Sequence, residues 1–263
     1  MNKLSFKNLF LILTLMTAFS NTACSSKSND YVYPDSLIVV AHRGGAALGI
    51  ENSLSCIQKG IESGADMIEI DVHLTADGHV VVCHDRTIDR TTNGKGRIEE
   101  LTLEQIRQYR LLNADGTPSD ETIPTLEEVF QTVNGRYDIL LEIKKRKDQY
   151  KGIEQKVTDL IRKYNIENQM VIQSFNDYVL AEMHRIMPSI RLEKLSFLPP
   201  INLDRNDYIS SFNVYYLFAS RRFVNRSHKH GKEVKLWTVN SRNRASRMPV
   251  DGIITNDPQL FLN

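Results

Sequence analysis

From Leu37 onward, short β-rich apolar runs alternate with stretches whose apolar positions recur at helical spacing, a pattern that predicts a parallel α/β fold. The strands fall at residues 38–41, 66–73, 139–143, 170–175, 190–196, 208–215, 233–239 and 252–255. Glu51-Asn52-Ser53 opens a helix whose Leu54, Ile57 and Ile61 share a face, and Thr102–Gln105 and Thr125–Glu128 have capping-box form. Further helices are predicted after Ile153, over about 176–187, around 220–230 and, shorter, over 241–248. Eight parallel strands are the number a (β/α)8 TIM barrel requires. No strand leads into the G-x-G-x-x-G loop of an open nucleotide-binding sheet.

One further run, Val80 to His84, returns too soon after the second strand for a crossover helix, so it must run antiparallel. It begins a small insertion of hairpin and short helices after the second strand. Asp77-Gly78 reads as a two-residue type I′ turn, which would set His84 directly opposite Asp71 and point Glu69, Asp71, His73, His84 and Arg86 to one face. Met67, Ile68, Ile70 and Val72 make this strand too apolar for a solvated ribbon. Acids in it need a partner or a metal.

The N-terminus breaks the alternation. Lys3 and Lys7 precede an apolar run from Leu9 to Phe19 and small polar residues up to Thr22-Ala23-Cys24, which predicts a signal peptide over 1–23. The run is shorter than the roughly 20 residues of a membrane span. Small residues before Cys24 and a polar tether over 24–36 resemble a bacterial lipoprotein site, although Asn21 stands where an aliphatic residue is usual. Export and lipidation at Cys24 are therefore expected, with anchoring in the periplasm or at the cell envelope. The globular domain then spans 37–263. Loss of 1–23 takes the net charge from +1 to −1, which does not argue for nucleic-acid binding, and no protein partner is indicated. Only Cys56 and Cys83 remain beyond the leader and Cys24, so no disulfide framework is expected and both read as buried small apolar residues.

In a barrel, chemistry sits at the carboxyl ends of the strands, where His42, Arg43, Glu69, Asp71, Glu142, Lys144 and Trp237 all fall. Glu69, Asp71 and Glu142 suit a hard cation such as Mg²⁺ or Ca²⁺ better than zinc; the plainer reading is an acid set neutralised by Arg43 and Lys144. His42 and His84 can act as acid and base near neutral pH, and with Arg43 and Lys144 they fit phosphoryl-ester chemistry. Trp237 lines the pocket or packs in the barrel core. Asn93-Gly94-Lys95-Gly96 lacks Walker spacing and reads as a structural turn. The remaining histidines, His73 among them, read as surface or packing residues. A glycoside hydrolase using Glu69 and Glu142 is a rival that leaves two histidines and two cations without a role.

The chain resembles the glycerophosphodiester phosphodiesterases from about Leu37 to Pro258. The resemblance is carried by His42-Arg43-Gly44, Glu51-Asn52, Gly64-Ala65-Asp66, Glu69-Ile70-Asp71-Val72, Thr75-Ala76-Asp77-Gly78, His84-Asp85 and Arg90-Thr91-Thr92-Asn93-Gly94. Ile123-Pro124-Thr125-Leu126, Glu142-Ile143-Lys144, Ser174-Phe175, Trp237-Thr238-Val239-Asn240 and Asp251-Gly252-Ile253-Ile254-Thr255 complete it. It implies a barrel hydrolase acting on a small glycerophosphodiester, with His42 and His84 as acid-base pair and Glu69, Asp71 and Glu142 as ligands of a divalent cation. It places Arg43 and Lys144 at the phosphate and Glu51 near the active site, and Glu51 and the strand-end Trp237 are read as substrate-binding. Leu198 to Phe218 matches none of the family's motifs, leaving substrate choice open. The alternatives are a lipoprotein that binds phosphodiesters without turnover, and a phospholipase D-like activity on lysophospholipids.

Overall fold

The computed structural model describes residues 36–146, 149–242 and 245–262. The expected leader, Cys24 and the tether up to residue 35 lie outside the described residues. Of the predicted helix at 241–248, a 3-10 turn over Ala245–Arg247 is described.

The strands are β1 Ile38–Ala41, β2 Met67–Leu74, β3 Val80–Val82, β4 Asp138–Ile143, β5 Met170–Ser174, β6 Arg191–Ser196, β7 Ile209–Tyr215, β8 Glu233–Trp237 and β9 Gly252–Thr255. With β3 set aside, neighbours pair in parallel in chain order, and β9 returns to β1, closing the predicted (β/α)8 TIM barrel. Six helices accompany them among the described residues: α1 Leu54–Glu62, α2 Leu103–Ile106, α3 Leu126–Val133, α4 Ile153–Tyr164, α5 Asp177–Ile186 and α6 Arg221–Lys229. Thr102 and Thr125 form the predicted reciprocal capping boxes with Gln105 and Glu128, and the Ser53 hydroxyl accepts the Cys56 N–H. Between β6 and β7 the chain crosses as an irregular loop rather than a helix.

Alternation along the strands layers the barrel interior. Val40, Met67, Leu140, Val171 and Ile254 form an apolar plug toward the amino ends. Two residues further along, the same strands present Glu69, Glu142 and Gln173, and Asp71 stands two beyond Glu69. The plug excludes water from below, so these polar groups are buried and must satisfy one another.

The insertion after β2 has its own apolar core, including Val81, Cys83, Ile88, Ile98, Ile106 and Leu111. Burial drives the thiols of Cys83 and Cys56 up to about 12, so both are apolar fillers, as expected. Gly94 lies against the Tyr109 ring, so closely that a Cβ there would stand 2.3 Å from it, in keeping with a structural turn.

The hairpin register departs from expectation. Gly78 N–H donates to Thr75 O and Thr75 N–H to His79 O, closing a three-residue loop with Gly78 left-handed at φ +82°. The Thr75 hydroxyl locks this loop by donating to Asp77 Oδ1 and accepting the His79 N–H. The extra loop residue slips the pairing by one, so Val82 faces Val72 and Val81 faces His73. His84 is therefore not the cross-strand partner of Asp71; Cys83 N–H bonds to Asp71 O instead.

Helix α1 approaches the turn after β1 so closely that a Cβ at Gly60 would stand 2.4 Å from Gly44 O and 3.0 Å from Ile68 Cδ1. Gly60→Ala, which in an open helix would stabilise by up to about 1 kcal/mol, is expected to cost about 1–3 kcal/mol here. Urea unfolding measures it, and an unchanged or raised midpoint would sink the close-approach argument.

Candidate active site

The site is built at the carboxyl end of β1, where the chain turns through His42–Gly44. Arg43 holds a left-handed backbone, φ 54° and ψ 37°, and Asn52 a second at φ 60°. For arginine this costs about 1–2 kcal/mol. The conformation aims the Arg43 N–H at Glu69 Oε2, 2.9 Å away, while its carbonyl accepts the Asn52 N–H. The Arg43 guanidinium reaches Glu51 Oε1 at 3.0 Å and stands 3.8 Å from Asp71 Oδ2. Asn52, itself buried, donates to Asp71 Oδ2 at 3.0 Å.

Glu69, Asp71 and Glu142 converge as foreseen: all three are buried, and one oxygen from each lies within 4.8 Å of the others. In-register pairing of Asp71 with Glu142 across β2 and β4 produces this. The Lys144 ammonium sits 2.9 Å from Glu142 Oε2 and 3.0 Å from Asp71 Oδ1, the latter without a well-aligned hydrogen bond. Burial pushes the Glu69 carboxyl well above its usual range, helped by the charges of Asp71 and Glu142. Glu142 rises to about 7, again mainly through burial, against the pull of Lys144. Burial also acts on Asp71, but Lys144, His84 and Arg43 outweigh it and hold that carboxyl low. The Lys144 ammonium is held above its ordinary value because the two acids overcome its own burial. Protein cations thus hold Asp71 ionised and leave the Glu69 and Glu142 carboxyls shifted upward, short of compensating positive charge. An all-oxygen donor set of three acids that lacks the positive charge to ionise fully fits a hard divalent cation.

The two imidazoles stand on either side of these acids. His42 Nδ1 is bonded to Asn256 Oδ1 at 2.6 Å, which leaves Nε2 facing inward, 3.9 Å from Glu69 Oε2. Burial, reinforced by Arg43, lowers the ring to about 4. His84 reaches the site by a different route from the one expected. β3 ends at Val82 and the chain bends, bringing His84 to the rim of a cavity of about 560 Å³ shared with Glu142, Lys144 and Phe175. His84 Nδ1 bonds Asp85 Oδ1 at 2.7 Å, Asp85 accepts from Arg90, and Arg90 grips both oxygens of Glu51. An ion chain therefore runs from His84 to Arg43 around the mouth.

Sequence reasoning missed Asn52, Asn256, Arg90 and Asp85 as site residues, although three of them lie in motif runs already singled out. Asn256 follows Thr255 at the end of the last strand, a position whose significance only closure of the barrel reveals. His73 is a packing residue, buried with Nδ1 on the Tyr150 hydroxyl and Nε2 on the His84 carbonyl, where it braces the bend. Arg86 turns instead to Glu99. Trp237 packs on the apolar plug and donates to Asn213 O, and its ring meets Phe175, Phe197 and Tyr215 at the rim.

A sequence profile for the glycerophosphoryl diester phosphodiesterase family matches residues 42–260. A glycerophosphodiester phosphodiesterase of Caldanaerobacter subterraneus subsp. tengcongensis is 36% identical over 234 residues, covering 86% of this chain and 96% of the relative. One from Bacillus altitudinis is 33% identical over 236 residues, covering 84% and 94%. Among solved structures, a glycerophosphodiester phosphodiesterase of Thermotoga maritima superposes with a TM-score of 0.70 at 27% identity, covering 86% of this chain and 96% of that one. An Oleispira antarctica phosphodiesterase in complex with the product sn-glycerol-3-phosphate gives a TM-score of 0.76 at 24% identity, covering 85% and 94%, a likeness of fold. A barrel of this topology, carrying these motifs across nearly its whole length, belongs to the glycerophosphoryl diester phosphodiesterase family.

Proposed function

We propose that this phosphoric diester hydrolase cleaves glycerophosphodiesters to glycerol 3-phosphate and an alcohol, using His42 and His84 to move protons and Glu69, Asp71 and Glu142 to hold Mg²⁺ or Ca²⁺. The observation that carries the reading is the convergence of three buried carboxylates, two cationic side chains and two imidazoles at one end of the barrel. Glycoside hydrolysis would leave both imidazoles and both cations idle.

A bound divalent cation would supply positive charge against a non-bridging phosphate oxygen as negative charge develops there. Arg43 and Lys144, on adjacent sides of the acids, bind and orient the same phosphate. Glu51 holds the Arg43 and Arg90 guanidinium groups in place, and Trp237 closes the substrate pocket on its apolar side. His42, bonded through Nδ1 to a neutral amide and held to about 4, stays unprotonated at neutral pH and presents Nε2 as a base toward water or the glycerol 2-hydroxyl. His84 has a carboxylate at Nδ1, which favours the imidazolium it must become to protonate the leaving alkoxide. Its own value is lowered by burial first, with Asp71 and Asp85 opposing.

His42→Ala and His84→Ala are each expected to cut release of glycerol 3-phosphate by about 10² or more, the scale of general acid-base loss. A near-wild-type rate in either would remove that residue from the mechanism. Absence of release from the wild-type protein on every glycerophosphodiester tried would refute the proposed reaction.

The acids generate a second expectation. In the folded, cation-free protein Glu142 keeps a proton up to about pH 7, whereas its ordinary value is 4.5. The folded form therefore gains stability from Glu142 below the ordinary carboxylate range, and that gain is lost as pH rises through 7. Binding a cation must displace this proton, so binding weakens as pH falls. The rise in melting temperature on adding Mg²⁺ or Ca²⁺ should be larger at pH 7.5 than at pH 5.5, and Glu142→Gln should shrink it. A cation response independent of pH and of Glu142 would refute the carboxylate site.

We further propose that the chain is exported and anchored to a membrane through lipid on Cys24, on the strength of the charged, apolar and small-residue order of its first 24 residues. Labelling with a fatty-acid analogue should mark the wild type and not Cys24→Ala. Equal labelling of the two would refute the anchor.

A further inference from the structure

Among the described residues, the large apolar side chains left exposed are not scattered. All but Tyr178 gather in one sector of the catalytic rim, after β5, β6 and β7. Phe197, Leu198 and Ile201 follow β6, and Leu217 and Phe218 follow β7; Ile201 is 92% exposed and Leu198 and Leu217 are each 62% exposed. Phe175 extends the shelf beyond β5, whereas Tyr178 turns away to lie under the Lys145 ammonium. Its inner edge is aromatic: Phe197 stacks on Phe175 at 5.3 Å and stands 5.1 Å from Trp237, and Tyr215 meets both Trp237 and Phe218. A contiguous apolar face of this kind on a globular domain marks a contact surface.

Charge beside the shelf narrows the choice of partner. Helix α6 starts three residues after Phe218, with Arg221, Arg222 and Arg226 exposed. Arg221 donates to Arg247 O and Arg226 to Pro200 O, next to Ile201, so the guanidinium groups are seated on carbonyls at the shelf's border. No carboxylate among the described residues forms an ion pair with any of the three. Exposed aromatic and aliphatic side chains bordered by unpaired arginines suit the headgroup region of an anionic bilayer, where rings settle at the interface and cations meet lipid phosphates. A protein partner would be expected to bring carboxylates to the arginines, but nothing selects one. A single lipid tail would use the shelf and leave the arginines unused.

We infer that the β5–β7 sector of the rim is a membrane-docking face for anionic lipid, turning the catalytic mouth toward the bilayer independently of any anchor at the N-terminus. Trp237 is the only tryptophan in the chain and lies at the inner edge of this shelf, so its fluorescence reports contact there and not at the N-terminal segment.

The test is quenching of Trp237 by vesicles with brominated acyl chains, of phosphatidylcholine with phosphatidylglycerol or of phosphatidylcholine alone, using the full chain. Quenching is expected with the anionic vesicles and should weaken in high salt. L198S/I201S/L217S should abolish it. R221Q/R222Q should weaken partition to anionic vesicles about 25-fold, at roughly fivefold per arginine. Hydrolysis of a soluble glycerophosphodiester, within twofold of wild type in both variants, confirms that they are folded. Vesicle binding without quenching, or quenching unchanged in both variants, would overturn the inference. So would quenching by dispersed single-chain brominated lipid but not by vesicles, which would make the shelf a seat for a lipid tail. Hydrolysis is read separately, so loss of docking with normal turnover leaves the proposed reaction standing.

Discussion

Three carboxylates buried side by side at the end of a water-excluding barrel are the constraint to which the rest of this structure answers. Like charges at that spacing, with the apolar plug of Val40, Met67, Leu140, Val171 and Ile254 beneath them, cannot all ionise without compensation. The chain meets the demand from several directions at once. Lys144 follows Glu142 by two residues and turns back over it. Arg43 adopts a left-handed backbone that residues bearing a Cβ usually avoid, so that its N–H and its guanidinium both face the acids. Asn52, in a second left-handed position, covers the remaining side of Asp71. Strain in the two turns and the close packing of Gly60 against Gly44 are set against this one electrostatic requirement.

Compensation extends through the barrel. Glu69 Oε1 accepts from Gln173, whose own oxygen accepts from Asn213, and Asn213 also donates to Glu193. Glu193 takes its charge partner from Lys235 at 2.6 Å, with both side chains fully buried. The interior above the plug is thus a hydrogen-bonded layer crossing from β2 to β8, anchored at one end by the acids and at the other by a buried ion pair. Such a layer is rigid only if each member is satisfied, and removal of one partner leaves a buried charge exposed to low dielectric. Glu69 is consequently fixed from both ends: Oε2 by the Arg43 N–H and Oε1 by Gln173.

Much of this was legible in the sequence because it follows from period-two alternation and from strand ends. The strands, the capping boxes at Thr102 and Thr125, and the shared face of Glu69 and Asp71 need only local pattern. Parallel register then sets Glu142 beside Asp71 without further information. The hairpin was not legible to the same degree. Asp77-Gly78 is compatible with both a two- and a three-residue loop, and the choice rests on the Thr75 hydroxyl bridging Asp77 and His79. That bridge slips the register, yet His84 still enters the site, because the bend after Val82 and the His73 contact to its carbonyl place it rather than the ladder. Asn256 and the interior layer through Lys235 were invisible for another reason: they depend on which distant strands face one another across a closed barrel.

The rim divides into two halves of opposite character, and the division follows from how each half is built. On the insertion side, long excursions after β2 carry their own apolar core and can present a folded polar edge. There Glu51, Arg90, Asp85 and His84 form a continuous ion chain that holds the His84 imidazole by its Nδ1. On the β5–β7 side no insertion builds a core of its own, and the loop after β6 has no helix to fold against it. Apolar residues just past the strand ends there stay at the surface, gathered around Trp237. The polar half is fixed by charge and hydrogen bonds and is suited to orienting proton transfer. The apolar half has no internal partner for its surface, so what covers it must come from outside the described chain.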